Sequence, residues 1–457
     1  MLPEKFKDRM KRLLKEDYSA FIKAMTEDEP VRAFRINRIK VKSPEIITET
    51  LGDKGIPYEP SGFILRDGIQ IGKNAFHHAG AVYVQDPGAM AALPAVDIPE
   101  GARVLDLCAA PGGKSSKLAE AVGESGFLVS NEYVPKRAKL LVGNFERLGV
   151  KNAIVTSLDT SELSKLFDGV FDLVVADVPC SGEGMFRKNP EAIGEWSEEN
   201  VIACKRRQAE ILENAAPLVA PGGIILYSTC TFSVEENEEN VLEFIEKHGD
   251  FTLVPVHERL LPYTAPAIDV SGNHPEIETA ARRFYPHICG GEGQFVAVMK
   301  RNARSTERGG FLYKDSTLAP SREQTRTAED FFASNLVERP RGRLAKYGEN
   351  LVLISHGCPV PPKSVFLSGV LVGEIRGSIL FPSHQFFSAY GELFKSKLDI
   401  KPGDPMLEKY LRGEEMPTDG SLAGWCAVTT DGIPLGGGKA SGGKLKNHYP
   451  KGLRSKD

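Results

Sequence analysis

The sequence predicts an α/β protein: a doubly wound parallel sheet, preceded by a small α+β domain and followed by a smaller mixed domain. Three observations carry that expectation. Between about Val82 and Lys300, short and nearly continuous apolar runs alternate with helix-length segments, the mark of strands buried on both faces with crossover helices. Before that region, apolar side chains recur at three- and four-residue steps. Past Arg301 the composition turns to Arg, Ser, Thr, Glu and Gly as far as about Ser321, as in a linker. A chain of 457 residues has room for about three domains. The expected divisions are 1–80, 81–302, 303–380 (linker and first C-terminal segment) and 381–457.

The apolar residues Phe6, Met10, Leu13, Leu14, Tyr18, Phe21, Ile22 and Met25 predict one amphipathic helix with a Lys/Arg-rich outer face. Residues 1–40 hold 11 basic and 7 acidic side chains, a local +4. They end in Arg32-Ala-Phe-Arg35-Ile-Asn-Arg38, whose alternation predicts a strand with one basic face. The strands of the large sheet are expected at Ala102-Arg-Val-Leu-Asp-Leu, Gly126-Phe-Leu-Val-Ser-Asn, Ala153-Ile-Val-Thr, Phe171-Asp-Leu-Val-Val-Ala-Asp and Gly223-Ile-Ile-Leu-Tyr-Ser, with Gln294-Phe-Val-Ala-Val-Met-Lys closing it. Leu351-Val-Leu-Ile-Ser and Val365 to Glu374 predict strands of the C-terminal domain. From Gly436 onward, Lys439, Lys444, Lys446, Lys451, Arg454 and Lys456 stand against one acid, Asp457.

Composition narrows the class. With 41% hydrophobic and 26% charged residues, disordered and low-complexity readings drop out. The net charge of −4 leaves any nucleic-acid surface to be local. Cysteines stand at 108, 180, 204, 230, 289, 358 and 426 with no C-x-x-C pair, so neither a disulfide scaffold nor a zinc knuckle is expected, and no metal. The start, Met1-Leu-Pro-Glu-Lys, lacks the apolar core of an export signal, and no run approaches the roughly 20 apolar residues of a membrane span. The expectation is a cytoplasmic monomer with no membrane partner.

The first strand leads into Asp106-Leu-Cys108-Ala109-Ala110-Pro111-Gly112-Gly113-Lys114-Ser-Ser, with a helix expected from near Lys117. A glycine-rich turn before a helix lets a ligand approach the backbone. Two ligands fit. Cys108 to Ser115 is one residue short of the phosphate-binding G-x-x-x-x-G-K-[ST], and Leu173-Val-Val-Ala-Asp177 resembles a magnesium-holding strand, which would make an ATPase. Against this, Cys108 stands where that loop has its first glycine. The other ligand is a nucleoside such as S-adenosylmethionine. Glu132 ends the second strand 19 residues after Gly113, near the spacing at which an acid meets ribose hydroxyls, and Asp159 after the third strand could accept from an adenine amino group.

The fourth strand ends in Asp177-Val-Pro-Cys180-Ser-Gly and the fifth in Tyr227-Ser-Thr-Cys230-Thr. In a doubly wound sheet these strands are neighbours, so both thiols can reach one crevice. Cys204, Cys289, Cys358 and Cys426 are expected as small buried hydrophobes. A thiol beside a methyl donor suits methylation of a pyrimidine at carbon 5, since thiolate addition at carbon 6 turns carbon 5 into an enamine nucleophile. Asp177 could hold the base, and Lys114 could touch it. Either thiol could attack on these grounds, the other assisting release. Methylation of an exocyclic amine needs no thiol, and such sites usually put an aromatic where Cys180 follows Asp-x-Pro.

The three motifs, Asp106-Leu-Cys-Ala-Ala-Pro-Gly-Gly-Lys, Asp177-Val-Pro-Cys-Ser-Gly-Glu-Gly-Met and Tyr227-Ser-Thr-Cys-Thr, occur in order and resemble those of the Nop/Sun family of RNA cytosine-5 methyltransferases. Gly432-Ile-Pro-Leu-Gly and Gly443-Lys-Leu-Lys-Asn-His-Tyr-Pro-Lys look like the tail of its bacterial branch, the RsmF type, which methylates small-subunit ribosomal RNA. The resemblance implies a Rossmann-like S-adenosylmethionine-dependent domain and a PUA-like C-terminal domain. It implies Cys230 as the nucleophile, Cys180 as the group that helps release product, and Cys108 to Lys114, Glu132, Asp159 and Asp177 lining the cofactor site. Ribosomal RNA or the small subunit is the implied partner. Transfer RNA is the nearest alternative substrate, and a non-catalytic RNA-binding assembly factor is the rival of another class. Gly438 to Leu445 also matches G-x-x-x-x-G-K, but Leu445 replaces the magnesium-binding hydroxyl, so a basic loop is expected. Its lysines and those of the first 40 residues are expected to neutralise phosphates. Phe186, Arg187 and Lys188 are candidates to hold an extruded base.

Overall fold

The computed structural model of the chain describes residues 2–303 and 308–454, so Lys456 and Asp457 lie outside the described residues. The single helix expected from Phe6 to Met25 is instead two, α1 (Glu4–Leu14) and α2 (Tyr18–Thr26), separated by a tight turn at Lys15–Asp17. Lys15 has a φ of 49°, which a continuing α-helix does not tolerate. The break has a packing reason. Phe6 meets Phe186 and Trp196 with ring centroids 5.1 and 6.0 Å apart, while Phe21 meets Phe232 and Tyr285 at 5.1 and 6.0 Å. The bend lets the two helices clasp one aromatic cluster between them.

An antiparallel sheet of Ala33–Ile36, Gly52–Ile56, Glu59–Leu65 and Val82–Val84 follows. Its first strand does not present the expected basic face. All four of its residues are buried, and Arg35 is 2% exposed. The guanidinium donates to Ser116 Oγ at 2.7 Å and pairs with Glu120 at 3.4 Å. A buried cation needs such partners, so this arginine joins the N-terminal sheet to the next domain.

The central sheet contains β1 (Arg103–Asp106), β2 (Phe127–Asn131), β3 (Ala153–Thr156), β4 (Phe171–Asp177), β5 (Val219–Thr229), β6 (Ala281–Phe284), β7 (Gln294–Arg301) and β8 (Val365–Ser368). Across the sheet the order is β6-β7-β5-β4-β1-β2-β3-β8. β1 to β5 are parallel, and β7 runs antiparallel beside β5. Alternate residues feed two separate cores: Val104, Leu128, Val155 and Leu173 on one face, Leu105, Val129, Ile154 and Val174 on the other. This is why the strands read as continuous apolar runs. The segment Val365 to Glu374, expected wholly in the C-terminal domain, divides: β8 covers the open edge of β3, while Val370–Arg376 enters another sheet. Gly369 makes the corner at a φ of 65°, where a Cβ would lie 2.4 Å from the Leu353 carbonyl oxygen.

That other sheet is antiparallel, formed by Arg343–Tyr347, Asn350–Ile354, Val370–Arg376 and Ile379–Pro382. The C-terminal sheet has five strands: Lys397–Asp399, Gly424–Thr430, Ile433–Ser441, Lys444–Asn447 and Met416–Pro417. Lys40 fastens the parts together. Its three N–H donors are shared among four acceptors, the carbonyls of Ala79, Arg147 and Pro434 at 2.7, 3.0 and 2.9 Å and Ser388 Oγ at 2.8 Å. No helix among the described residues is long and apolar enough to cross a membrane.

Candidate active site

Strand register builds the site. On the parallel pair β4 and β5, Asp177 lies opposite Ser228. Cys180 is three residues past the first and Cys230 two past the second, so both thiols emerge at the same level. Their sulfurs are 3.1 Å apart, and both residues are half-buried. The Cys180 thiol is pushed well up by its contact with Cys230 and by burial, with the negative field of Glu236 adding to it. Cys204, Cys358 and Cys426 are buried, while Cys289 is only partly so.

Asp177 closes the crevice beside the thiols. Its Oδ2 pairs with Lys114 Nζ at 2.7 Å, and its Oδ1 accepts from Ser228 Oγ at 2.6 Å and from Gln294 Nε2 at 3.4 Å. Lys114 stands in the first turn of α3 (Gly113–Val122), which begins one turn before the expected Lys117. The turn from Cys108 to Gly112 joins β1 to that helix. At Gly112, φ is 113° and a Cβ would lie 2.8 Å from Leu141 Cδ1, so only glycine fits. The turn is pinned from outside: Ala109 N–H donates to the Asn131 carbonyl at 2.8 Å, Arg137 to Ala110 O at 2.9 Å and Asn144 to Pro111 O at 2.8 Å. Burial pushes the Cys108 thiol up, leaving it neutral.

The acids at the next strand ends differ. Glu132 is 3% exposed; its Oε1 accepts from Val134 N–H at 3.0 Å, and its Oε2, buried and 3.2 Å from Arg137, accepts no hydrogen bond. An unsatisfied buried carboxylate oxygen beside the turn fits a ribose hydroxyl as donor. Asp159 is exposed and caps the short helix Thr160–Leu163, its Oδ1 accepting from Ser161 N–H and Oγ at 2.9 and 2.6 Å. Those bonds hold its carboxyl below the usual range.

The geometry disfavours the ATPase reading. Ser115, where that loop would put its magnesium hydroxyl, is fully buried and donates to Asp106 Oδ2 at 2.6 Å. The residues proposed to hold an extruded base are also committed elsewhere. Phe186 is 2% exposed inside the aromatic cluster of Phe6 and Trp196; Arg187 pairs with Glu292 at 3.0 Å and Lys188 with Asp86 at 2.5 Å. Phe186 and the buried Arg187 side chain brace the loop from behind, the guanidinium requiring its carboxylate partner at that depth, while Lys188 makes its pair at the surface.

The sequence model described as 16S rRNA methyltransferase RsmB/F matches residues 94–300. The model of the N-terminal domain of 16S rRNA methyltransferase RsmF matches 2–87, and that of the methyltransferase RsmF PUA domain matches 397–455. The chain belongs to the RsmB/F methyltransferase family. Among RsmB/F relatives, Ribosomal RNA small subunit methyltransferase F of Serratia proteamaculans is 28% identical over 99% of this chain and 96% of its own. A crystal structure of a methyltransferase homolog protein from Pyrococcus horikoshii is 28% identical, with a TM-score of 0.57 over 65% of this chain and 95% of its own. NSun6 from Pyrococcus horikoshii, crystallised with SFG, shares the fold at 21% identity and a TM-score of 0.56, over 65% of this chain and 98% of its own. The central domain is thus the Rossmann-like, S-adenosylmethionine-dependent methyltransferase fold, with the family's N-terminal domain before it and its PUA domain after it.

Within this RsmB/F site, sequence reasoning missed Ser228, Gln294 and a set of buried carboxylates behind the thiols. Glu183 accepts from Trp196 Nε1 at 2.9 Å, from Thr231 Oγ1 at 3.0 Å and from Phe232 N–H at 3.0 Å. Glu236 accepts from Ser181 N–H and Gln208 Nε2. The only signal was proximity in sequence to Cys180 and Cys230.

Proposed function

We propose that the chain methylates carbon 5 of cytosine in 16S ribosomal RNA through a transient bond between Cys230 Sγ and carbon 6. The observation that carries this reading is the 3.1 Å approach of Cys180 and Cys230 beside the Lys114–Asp177 pair. S-adenosylmethionine, bound by the turn of Cys108, Ala109, Ala110, Pro111, Gly112, Gly113 and Lys114 and by Glu132, Asp159 and Asp177, supplies an electrophilic methyl group. Cys230 Sγ bonds to carbon 6, and the C5=C6 electron pair moves on to carbon 5, which becomes nucleophilic. After carbon 5 has been methylated, its proton passes to a water molecule acting as base, the C–H electron pair re-forms C5=C6, and the C6–S bond breaks to expel Cys230 as a thiolate. Cys180 carries a proton and donates a hydrogen bond to that departing sulfur, which helps release. Asp177, oriented by Lys114 and Ser228, accepts from the amino edge of the base, the hydrogen-bonding feature that distinguishes cytosine from uracil. Lysines of the first 40 residues and of the hairpin that Ile433–Ser441 and Lys444–Asn447 form where a basic loop was expected contribute phosphate contacts, with the salt dependence such contacts bring.

Incubation with methyl-labelled S-adenosylmethionine and unmodified small ribosomal subunits is expected to place label at carbon 5 of cytosine. Label on transfer RNA instead would move the substrate, and no label on any RNA would defeat the reading.

A further inference from the structure

Behind Cys180 lies a carboxylate with no exposed surface. Glu236 is fully buried and sits in a wide π-type helical turn, Glu235–Glu239, directly after the Cys230 loop. Its Oε2 accepts from Ser181 N–H at 3.0 Å and from Gln208 Nε2 at 2.8 Å. The same Gln208 nitrogen donates to the Pro179 carbonyl at 2.9 Å. Both peptides flanking Cys180 are therefore gripped by one Glu–Gln pair. Gln208, on α4 (Glu198–Ala215), is itself fixed, because its Oε1 accepts from Asn240 Nδ2 at 2.9 Å. The backbone of Glu236 is held too, its carbonyl accepting from Tyr227 OH at 2.6 Å.

The grip continues to the other thiol. Ser181 Oγ bonds Thr231 Oγ1 at 2.9 Å, and Asn237, next to Glu236, donates from Nδ2 to the Thr231 carbonyl at 3.0 Å and accepts from Thr229 Oγ1 at 2.6 Å. Gly184 N–H donates to the Cys230 carbonyl at 2.9 Å. A π-type turn lets a helix start aim side chains that an α-turn would direct elsewhere, and such turns are frequent at functional sites.

We infer that Glu236 is a positioning residue that, through Ser181 and Gln208, fixes the Cys180 loop so that Cys180 Sγ meets Cys230 Sγ. The inference rests on the reading of the two thiols as partners in one reaction. A buried carboxylate costs stability unless its bonds compensate, and here two donors on Oε2 leave Oε1 without a partner. That arrangement is poor as a stabilising device and coherent as a geometric one.

The test uses the full-length enzyme with Glu236→Ala, Glu236→Gln and Gln208→Leu, their folding checked by melting temperature. In Gln, one oxygen can still accept from both Ser181 N–H and Gln208. The expected result is a kcat about 10²-fold lower for Glu236→Ala with KM little changed, the scale of loss that a misplaced group brings, and substantial recovery in Glu236→Gln. A second readout does not use RNA. Hydrogen peroxide should join Cys180 to Cys230 as a disulfide, each thiol losing a proton and an electron as peroxide is reduced to two waters, and mass spectrometry follows the rate. That rate should drop in Glu236→Ala and recover in Glu236→Gln. Wild-type kcat and disulfide rate in Glu236→Ala would overturn the inference, as would equal damage in Glu236→Gln and Glu236→Ala. Failure of the thiol reading itself is distinguishable, because there Cys230→Ala would still methylate.

Discussion

Ser228 donates its hydroxyl to Asp177 at 2.6 Å, and the two residues lie directly opposite each other on neighbouring parallel strands. Since Lys114 holds the other oxygen at 2.7 Å, the carboxylate is clamped in one plane. A hydrogen bond to a charged group contributes about 1.5–3 kcal/mol, so Ser228→Ala is expected to lower kcat/KM by roughly 10- to 150-fold. Asp177→Ala should do worse, because it also strands the largely buried Lys114. Initial rates with labelled methyl donor read this directly; unchanged rates in Ser228→Ala would remove the clamp from the mechanism.

The two sulfurs can be told apart. If Cys230 forms the bond to carbon 6 and Cys180 helps break it, Cys180→Ala should accumulate a protein–RNA adduct that survives denaturing electrophoresis, and Cys230→Ala should form none. The reverse pattern would exchange their roles. A Cys230→Ala strain whose small subunits assemble and function normally yet lack 5-methylcytosine would separate catalysis from any binding role, while full function with methylation intact would remove Cys230 from the chemistry.

Stability should carry the mark of Asp106. This carboxyl is 1% exposed, and burial pushes it up to about 7 despite the bond from Ser115. A raised acid favours the folded state while protonated, so its contribution is complete below the unfolded value near 3.8 and is lost as pH rises through about 7. His356 and His384, both pushed down to about 4 by burial, act in the opposite sense, losing stability as pH falls from 6.5. The clean measurement is therefore a difference. Asp106→Asn should gain stability relative to wild type as pH rises from 4 to 7, with a slope of at most about 1.4 kcal/mol per pH unit. Parallel unfolding curves across that range would show that Asp106 does not titrate there.

The large sheet was legible because strands buried on both faces have no polar residue to alternate with, and Asp177, Cys180 and Cys230 were legible because strand ends are where such sheets bind ligands. Arg35 was not. A basic residue in a four-residue strand reads as solvated unless its partner is known, and Glu120 lies 85 residues away. The acids behind the thiols were hidden for a related reason. Glu235-Glu236-Asn237-Glu238-Glu239 reads as a solvated helix face, yet Glu236 and Glu238 are fully buried, the latter ion-paired with Arg283. Nor does an apolar period reveal a break such as that at Lys15, because Phe6 and Phe21 keep helical spacing on both sides of it.

Lys40 offers a test of how the domains cooperate. Its ammonium is the shared donor to one carbonyl of the N-terminal domain, one of the methyltransferase domain and one of the PUA domain, with Ser388 as a fourth acceptor. Burial and the neighbouring Arg147 and Lys151 hold its pKa well below the ordinary lysine value. Lys40→Met keeps most of the side-chain volume and takes this donor from the Ala79 and Pro434 carbonyls, each at a cost of about 1–3 kcal/mol, while Ser388 Oγ still donates to the Arg147 carbonyl at 3.1 Å. The central domain keeps its own two cores, so its chemistry should survive. The expected outcome is faster protease cleavage before the 397–455 domain, near-normal kcat, and a raised KM for the RNA substrate, since domains that no longer hold a fixed relation cannot present their phosphate contacts together. Wild-type proteolysis and KM in Lys40→Met would mean that the apolar contacts between domains suffice without this lysine.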